Sequence, residues 1–268
     1  MNIGIFDSGI GGITLLHQAI ALLPRENYIF YADTDHVPYG TKSREEVIGY
    51  VDEVMRFLSD HDCKAVVIAC NTATAVAAEV MREKYRIPII GIEPAVKPAV
   101  GESKGKRVLV VATPLTIRDE RFRRLVARVD YAHLVDLLPL PRLVEFAENG
   151  EFESNAELAY LEKELSAYDL GNYGELVLGC THFNYFKDSF RRLLPPQVRL
   201  IDGSEGTIRQ LARVLEEHGA LEAPFGELTD KNDTKVRYFY SGREITDAEG
   251  LRRIAQLHQR LERMRGIR

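Results

Sequence analysis

The sequence predicts an α/β protein built from two similar parallel-sheet domains related by pseudo-two-fold symmetry, with the active site in the cleft between them. Two observations carry this. Short apolar runs alternate with amphipathic stretches along the chain, as in βαβ units, and the two halves of the series match in register. The first half offers strands at Ile3–Phe6, Tyr28–Ala32, Ala65–Ala69 and Ile87–Ile92. After a charged stretch, Gly101–Arg107, the second offers Val108–Ala112, Ala132–Leu137, Leu176–Leu178 and Val198–Ile201. Val66-Val67-Ile68-Ala69-Cys70-Asn71-Thr72 then aligns with Leu176-Val177-Leu178-Gly179-Cys180-Thr181-His182. Asp7 lies 63 positions before Cys70 and Thr113 lies 67 before Cys180, while Ile90 and Ile201 follow them by 20 and 21. Each half therefore places one cysteine at the carboxyl end of its third strand, where open parallel sheets bind ligands.

Helices fill the intervals. Ser43-Arg44-Glu45-Glu46 reads as a capping box ahead of the apolar face Val47, Tyr50, Val51, Val54, Phe57 and Leu58. Thr246-Asp247-Ala248-Glu249 reads as a second box, opening a C-terminal helix with Leu251, Ile254, Leu257, Leu261 and Met264 on one face.

Of the 268 residues, 45% are hydrophobic and 28% charged, enough to bury a core without covalent staples. Cys63, Cys70 and Cys180 are too few and too widely spaced for a disulfide scaffold. No run of about 18 apolar residues predicts a membrane span, and Met1–Asp7 enters a strand without a basic leader, so a cytoplasmic location is expected. A net charge of −5 and the lack of a basic stripe interleaved with aromatics argue against a nucleic-acid partner. The cluster Arg118, Arg121, Arg123 and Arg124 reads as a solvated helix face.

Free cysteine is among the most buried residue types, and a strand-end cysteine is often inert core. The polar run Asn71-Thr72-Ala73-Thr74 after Cys70 predicts a helix N-terminus there, which lowers a thiol's pKa. Cys180 has the same predicted setting, with His182 two residues on, and Cys63 reads as structural. A zinc set of Cys70, Cys180, His182 and Asp7 lacks Cys-x-x-Cys or paired-His spacing, so no metal is expected. Asp7-Ser8-Gly9-Ile10-Gly11-Gly12 looks like a dinucleotide loop with Asp33 as ribose acid, but Asp7 opposes a pyrophosphate and suits an ammonium or a proton-transfer role. Val37–Lys42, with Tyr39 and Gly40, is a turn at the same sheet edge and a candidate ligand wall, with Thr113–Thr116 as its counterpart. A cysteine hydrolase needs one thiolate and a histidine base, and leaves Cys70 unused. Two symmetric thiols suit moving a proton on and off one carbon.

The motifs Phe6–Gly12, Pro38-Tyr39-Gly40, Ala69–Ala73 and Gly179–Phe183 resemble the cofactor-independent aspartate/glutamate racemase superfamily, and within it the glutamate racemases, over essentially the whole chain. The resemblance implies interconversion of L- and D-glutamate, supplying D-glutamate for peptidoglycan, with neither cofactor nor metal. It implies Cys70 and Cys180 as acid/base pair, assisted by Asp7 and His182. Ser8, Asn71, Thr72, Thr113, Thr116 and Thr181 would hold the α-carboxylate and ammonium, with Tyr39 and Gly40 at the wall and Glu145 as the acidic residue near the cleft. It also implies that a C-terminal strand, Lys235–Ser241, and helix return to the first domain. That domain would then be residues 1–95 plus 207–268, the second 96–206, and the assembly a homodimer. Two segments depart from the family pattern. Leu138–Glu145 replaces a Cys-Pro-containing loop, and Asp119 and Phe122 stand where Ser and Tyr are commoner. Racemisation of aspartate, a cysteine hydrolase or decarboxylase on the same fold, and a non-catalytic amino-acid binder are the alternatives.

Overall fold

The computed structural model describes residues 1–226 and 234–267. In chain order the first half comprises β1 (Asn2–Asp7), α1 (Ile13–Leu22), β2 (Tyr28–Ala32), α2 (Arg44–Asp60), β3 (Cys63–Ile68), α3 (Asn71–Lys84) and β4 (Ile89–Gly91). After α4 (Val96–Glu102) come β5 (Arg107–Ala112), α5 (Pro114–Arg118), α6 (Glu120–Val129), β6 (Val135–Pro139), α7 (Pro141–Glu148), α8 (Asn155–Leu165), β7 (Tyr173–Gly179), α9 (Lys187–Leu193) and β8 (Arg199–Asp202). Then follow α10 (Ser204–Glu217), β9 (Val236–Tyr240), β10 (Arg243–Glu244) and α11 (Ala248–Met264).

One sheet runs β10-β9-β2-β1-β3-β4 and the other β6-β5-β7-β8. All pairings are parallel except β9 with β10. The order β2-β1-β3-β4 repeats as β6-β5-β7-β8, which is the internal match read from the sequence. The central strands read as unbroken apolar runs because both faces are covered: Ile3 to Asp7 and all of β7 are buried. β9 pairs with β2, so the end of the chain returns to the first sheet, and α1 packs on both α10 and α11. One hydrophobic cluster joins Ile3, Ile5 and Phe30 of the first half to Phe183, Tyr185 and Phe190 of the second.

Several boundaries differ from expectation, β3 and β7 each beginning two or three residues earlier, and three of the differences have a plain physical cause. β6 starts at Val135 rather than Ala132, because the Asp130 carboxylate accepts from the N–H groups of Leu134 and Val135 and His133 is left-handed at φ 55°, making 130–134 a turn. β4 begins after Pro88, which has no N–H for the ladder. The Ser43 box forms, with Ser43 Oγ accepting from Glu46 N at 3.2 Å and Glu46 Oε2 accepting from Ser43 N at 2.8 Å. The second box does not: Asp247, not Thr246, is the N-cap of α11 and accepts from Glu249 N and Gly250 N.

Candidate active site

The carboxyl ends of β1, β3, β5 and β7 meet between the two sheets. Asp7 ends β1, fully buried. Its Oδ1 accepts from Gly9 N (3.1 Å) and Ser8 Oγ (3.2 Å), and its Oδ2 from Thr181 Oγ1 of the other half at 2.8 Å. Burial pushes the Asp7 carboxyl above its ordinary range, against the pull of the His182 charge and these donors.

Cys70 N-caps α3, its Sγ accepting from Ala73 N at 3.4 Å and lying 3.7 Å from Ser8 Oγ. The helix setting was expected to lower its pKa. Instead burial, with Asp7 and Cys180 adding to it, raises the thiol to about 12, and the hydrogen bonds with Ala73 N–H and the Ser8 hydroxyl do not offset this. Cys180 differs from its counterpart too. It precedes a 3₁₀ turn, Thr181–Phe186, rather than an α-helix, and makes no capping bond.

His182 leads from Cys180 to a carboxylate. Its Nδ1 lies 3.7 Å from Cys180 Sγ, and its Nε2 lies 2.6 Å from Glu148 Oε1. Burial alone would lower the imidazole's pKa, but the bonds to Cys180 and Glu148 outweigh it and hold the ring well above its ordinary value. Glu148 Oε1 also accepts from Ile10 N at 2.8 Å, so one carboxylate ties the first half's glycine turn to the second half's histidine.

This corrects the reading of Glu145. Glu145 is exposed, and Glu148, one helical turn later on α7, occupies the cleft. The only signal in the sequence was a second acid three positions on.

Gly9 and Gly11 of the Asp7–Gly12 loop serve contact between halves, and Gly12 lies against Asp7, so the loop does not read as a nucleotide cradle. A methyl at Gly9 would stand 1.9 Å from Glu148 Oε1, and one at Gly11 would stand 2.4 Å from His182 Nδ1. Asp33, offered as a ribose acid, is buried and accepts from the Tyr39 hydroxyl at 2.6 Å and Ser241 Oγ at 3.1 Å. It thereby fixes the wall loop, whose Gly40 is pressed so close to Thr113 that a methyl there would lie 2.6 Å from Thr113 Cβ.

Across that seam Thr72, Thr113 and Thr116 form a triangle of hydroxyls 2.9, 3.1 and 3.0 Å apart. Both ends of the buried Asn71 amide lack a partner within the protein. Such a cluster of short hydroxyls and an unpaired amide is the chemistry that receives a carboxylate or ammonium.

Two cross-half contacts were not anticipated. Arg44, the first residue of α2, donates to Asp119 at 2.5 Å. Arg121, expected on a solvated face, donates to the Thr74 carbonyl (3.1 Å) and to Glu93 (2.6 Å). Among the described residues no group of three or more His, Cys, Asp or Glu is placed to hold a metal ion, and no helix is long and apolar enough to cross a membrane.

The sequence profile of the Asp/Glu/hydantoin racemases matches residues 13–211. The chain belongs to this racemase family. The glutamate racemase of Lachnospira eligens is 49% identical over 269 aligned positions covering 100% of both chains. Among solved structures, glutamate racemase isoform RacE1 from Bacillus anthracis superposes with a TM-score of 0.81 at 29% identity, covering 96% of this chain and 92% of that one. The Francisella tularensis glutamate racemase solved with D-glutamate has a TM-score of 0.78 at 28% identity, covering 97% and 93%. A racemase must reach both faces of one carbon, and in this family member the symmetric strand ends bring Cys70 and Cys180 from opposite halves. The two are close enough that charge on Cys180 raises Cys70.

Proposed function

We propose that this chain interconverts L- and D-glutamate by passing a proton at Cα between two thiols. The observation that carries it is the pairing of Cys70 and Cys180 at equivalent strand ends of opposite halves, each with its own polar escort: Ser8 and Asp7 for Cys70, His182 and Glu148 for Cys180. In one direction a thiolate takes the α-proton, forming an S–H bond as Cα–H breaks. The electron pair left behind is delocalised into the α-carboxylate. The opposite thiol then gives its proton to the other face of Cα, so the two sulfurs exchange protonation states at each turnover. Thr72, Thr113, Thr116 and Asn71 are the groups that receive the α-carboxylate, with Ser8, Thr181 and Asp7 nearest the ammonium. The glutamate assignment rests on the named relatives, of which the Lachnospira eligens enzyme is 49% identical over the whole length of both chains.

The same reading carries a cytoplasmic homodimer that supplies D-glutamate for peptidoglycan, with residues 1–95 plus 207–268 and residues 96–206 as its two domains. The test is incubation of L-glutamate in deuterated water without cofactor, beside L-aspartate. Loss of optical rotation with deuterium at Cα of both enantiomers is expected for glutamate. An unexchanged sample overturns the proposal. Cys70→Ala and Cys180→Ala should each abolish the reaction; activity surviving in Cys70→Ala would point to single-thiol chemistry.

A further inference from the structure

Helix α11 joins the two halves. Arg260, 2% exposed, donates from Nε to the Tyr185 carbonyl (3.0 Å) and from Nη2 to Asp188 (2.6 Å), and pairs with Glu153, so the helix grips the turn that carries His182. Arg253 Nη2 donates to the Glu148 carbonyl at 2.6 Å. The same helix lies against α1, which starts directly after the catalytic loop.

At that second contact His17 Nδ1 and His258 Nδ1 face each other at 3.0 Å. His17 Nε2 stands 3.0 Å from Glu262 Oε2, and His258 Nε2 stands 3.5 Å from the Tyr238 hydroxyl of β9. A carboxylate only accepts, so His17 carries a proton on Nε2. The short Nδ1···Nδ1 contact is then a hydrogen bond only when a single proton lies between the rings. Two protons set N–H against N–H, and none sets lone pair against lone pair.

We propose that this imidazole pair is a proton-operated clasp. Sharing one proton, it fastens α11 to α1; a second proton releases α11 and with it the hold on the catalytic turn.

The other ionisable groups around the pair stay engaged. Arg265 lies 3.3 Å from Glu262 on α11, and α1 has no further ionisable side chain. In the groove beside His17, Lys187 pairs with Asp202 and Glu205 with Arg209. Burial and the neighbouring His17 hold His258 down at about 4. A histidine lowered in the fastened state stabilises it above the ordinary value of 6.5, and that stability is lost as pH falls toward 4. Between pH 8 and pH 5 the ratio of released to fastened helix therefore rises about 30-fold.

Hydrogen–deuterium exchange of the whole protein at pH 8 and pH 5, corrected for intrinsic exchange rates, tests this, with α3 as internal reference. The wild type should show α11 exchange rising about 30-fold at pH 5 while α3 stays flat. His258→Asn puts an amide at the Nδ1 position, able to give its N–H to His17 Nδ1 or, turned over, its oxygen, but unable to take a second proton. Its α11 exchange should be independent of pH, with activity at pH 8 retained. His17→Asn, the second variant, leaves His258 buried and removes only the lesser cause of its lowered value, so the rise should shrink without vanishing. Wild-type α11 exchange that ignores pH, a rise shared equally by α3, or the full rise persisting in both variants would overturn the proposal.

Discussion

Replacing Glu148 by Gln separates charge from shape at the contact on which the second thiol depends. The side chain is 17% exposed, so its charge is little screened by solvent. A glutamine oxygen still accepts from Ile10 N and His182 Nε2, so the packing survives and only the carboxylate charge goes. A hydrogen bond to a charged group contributes about 1.5–3 kcal/mol and a neutral one about 0.5–1.5 kcal/mol, so each bond weakens by roughly 1–1.5 kcal/mol. The Ile10 bond is the same in every state of the reaction and affects stability. The His182 bond bears on a ring whose protonation matters to Cys180, so its loss appears in kcat, at about tenfold. The carboxylate is one of the groups holding His182 above its ordinary value. The alkaline fall of the pH–rate profile, where His182 loses its proton, therefore moves to lower pH in the variant. Circular dichroism of glutamate racemisation from pH 6 to pH 10 reads both effects. Glu145→Gln is the control and should stay within about twofold of wild type. Equal effects of the two substitutions, or a Glu148→Gln profile of unchanged shape, would refute the assignment of this contact.

Three further outcomes are expected. Gly9→Ala places a methyl on the Glu148 carboxylate and should lower kcat at least as much as Glu148→Gln, read in the same assay. Arg44→Gln and Asp119→Asn each open the pair across the cleft mouth, where Asp119 is buried and Arg44 half exposed. KM for glutamate should rise several-fold in each, and the double variant should be no worse than the single ones, a coupling of about 1 kcal/mol in a double-mutant cycle. Glu157 is buried with Oε1 unpartnered, and burial raises its carboxyl to about 7. The folded state binds the extra proton between pH 4.5 and 7, so stability falls as pH rises through that window. Glu157→Gln should stabilise the protein by about 1–3 kcal/mol at pH 8 and hardly at all at pH 4.5, measured by urea unfolding.

The strand ends were legible because a parallel strand buried on both faces is an unbroken apolar run, and its first polar residue marks where the chain reaches the cleft. Asp7, Cys70 and Cys180 all fall at such breaks, and the matched spacing of strands around the two cysteines predicts their equivalence. What escaped was decided by the placement of one body against another. Glu145 and Glu148 sit on the same helix, and which one enters the cleft depends on how α7 leans on the loop after Asp7. The Arg44–Asp119 pair joins positions 75 apart that share no pattern. The thiol of Cys70 departs from its sequence expectation for a related reason. A helix N-terminus is visible in sequence, whereas the burial that overrides it is a property of the closed pair of halves.

The backbone symmetry of the two halves does not extend to their charges. On the Cys70 side a buried thiol and a buried carboxyl both favour their neutral forms, while on the Cys180 side the imidazole favours its cation. At rest Cys70 therefore holds its proton and is ready to give it. On the proposed mechanism, the enantiomer that must receive its new proton from Cys70 finds that proton already in place. Its mirror partner requires a thiolate at Cys70, next to Asp7, and that state becomes accessible when a substrate ammonium brings positive charge to the same corner. Enantiomers have equal free energies in water, so kcat/KM must be the same in both directions. The unequal cost of the two starting states falls on kcat and KM separately, and the duplicated fold gives one equilibrium reached by two kinetically distinct strokes.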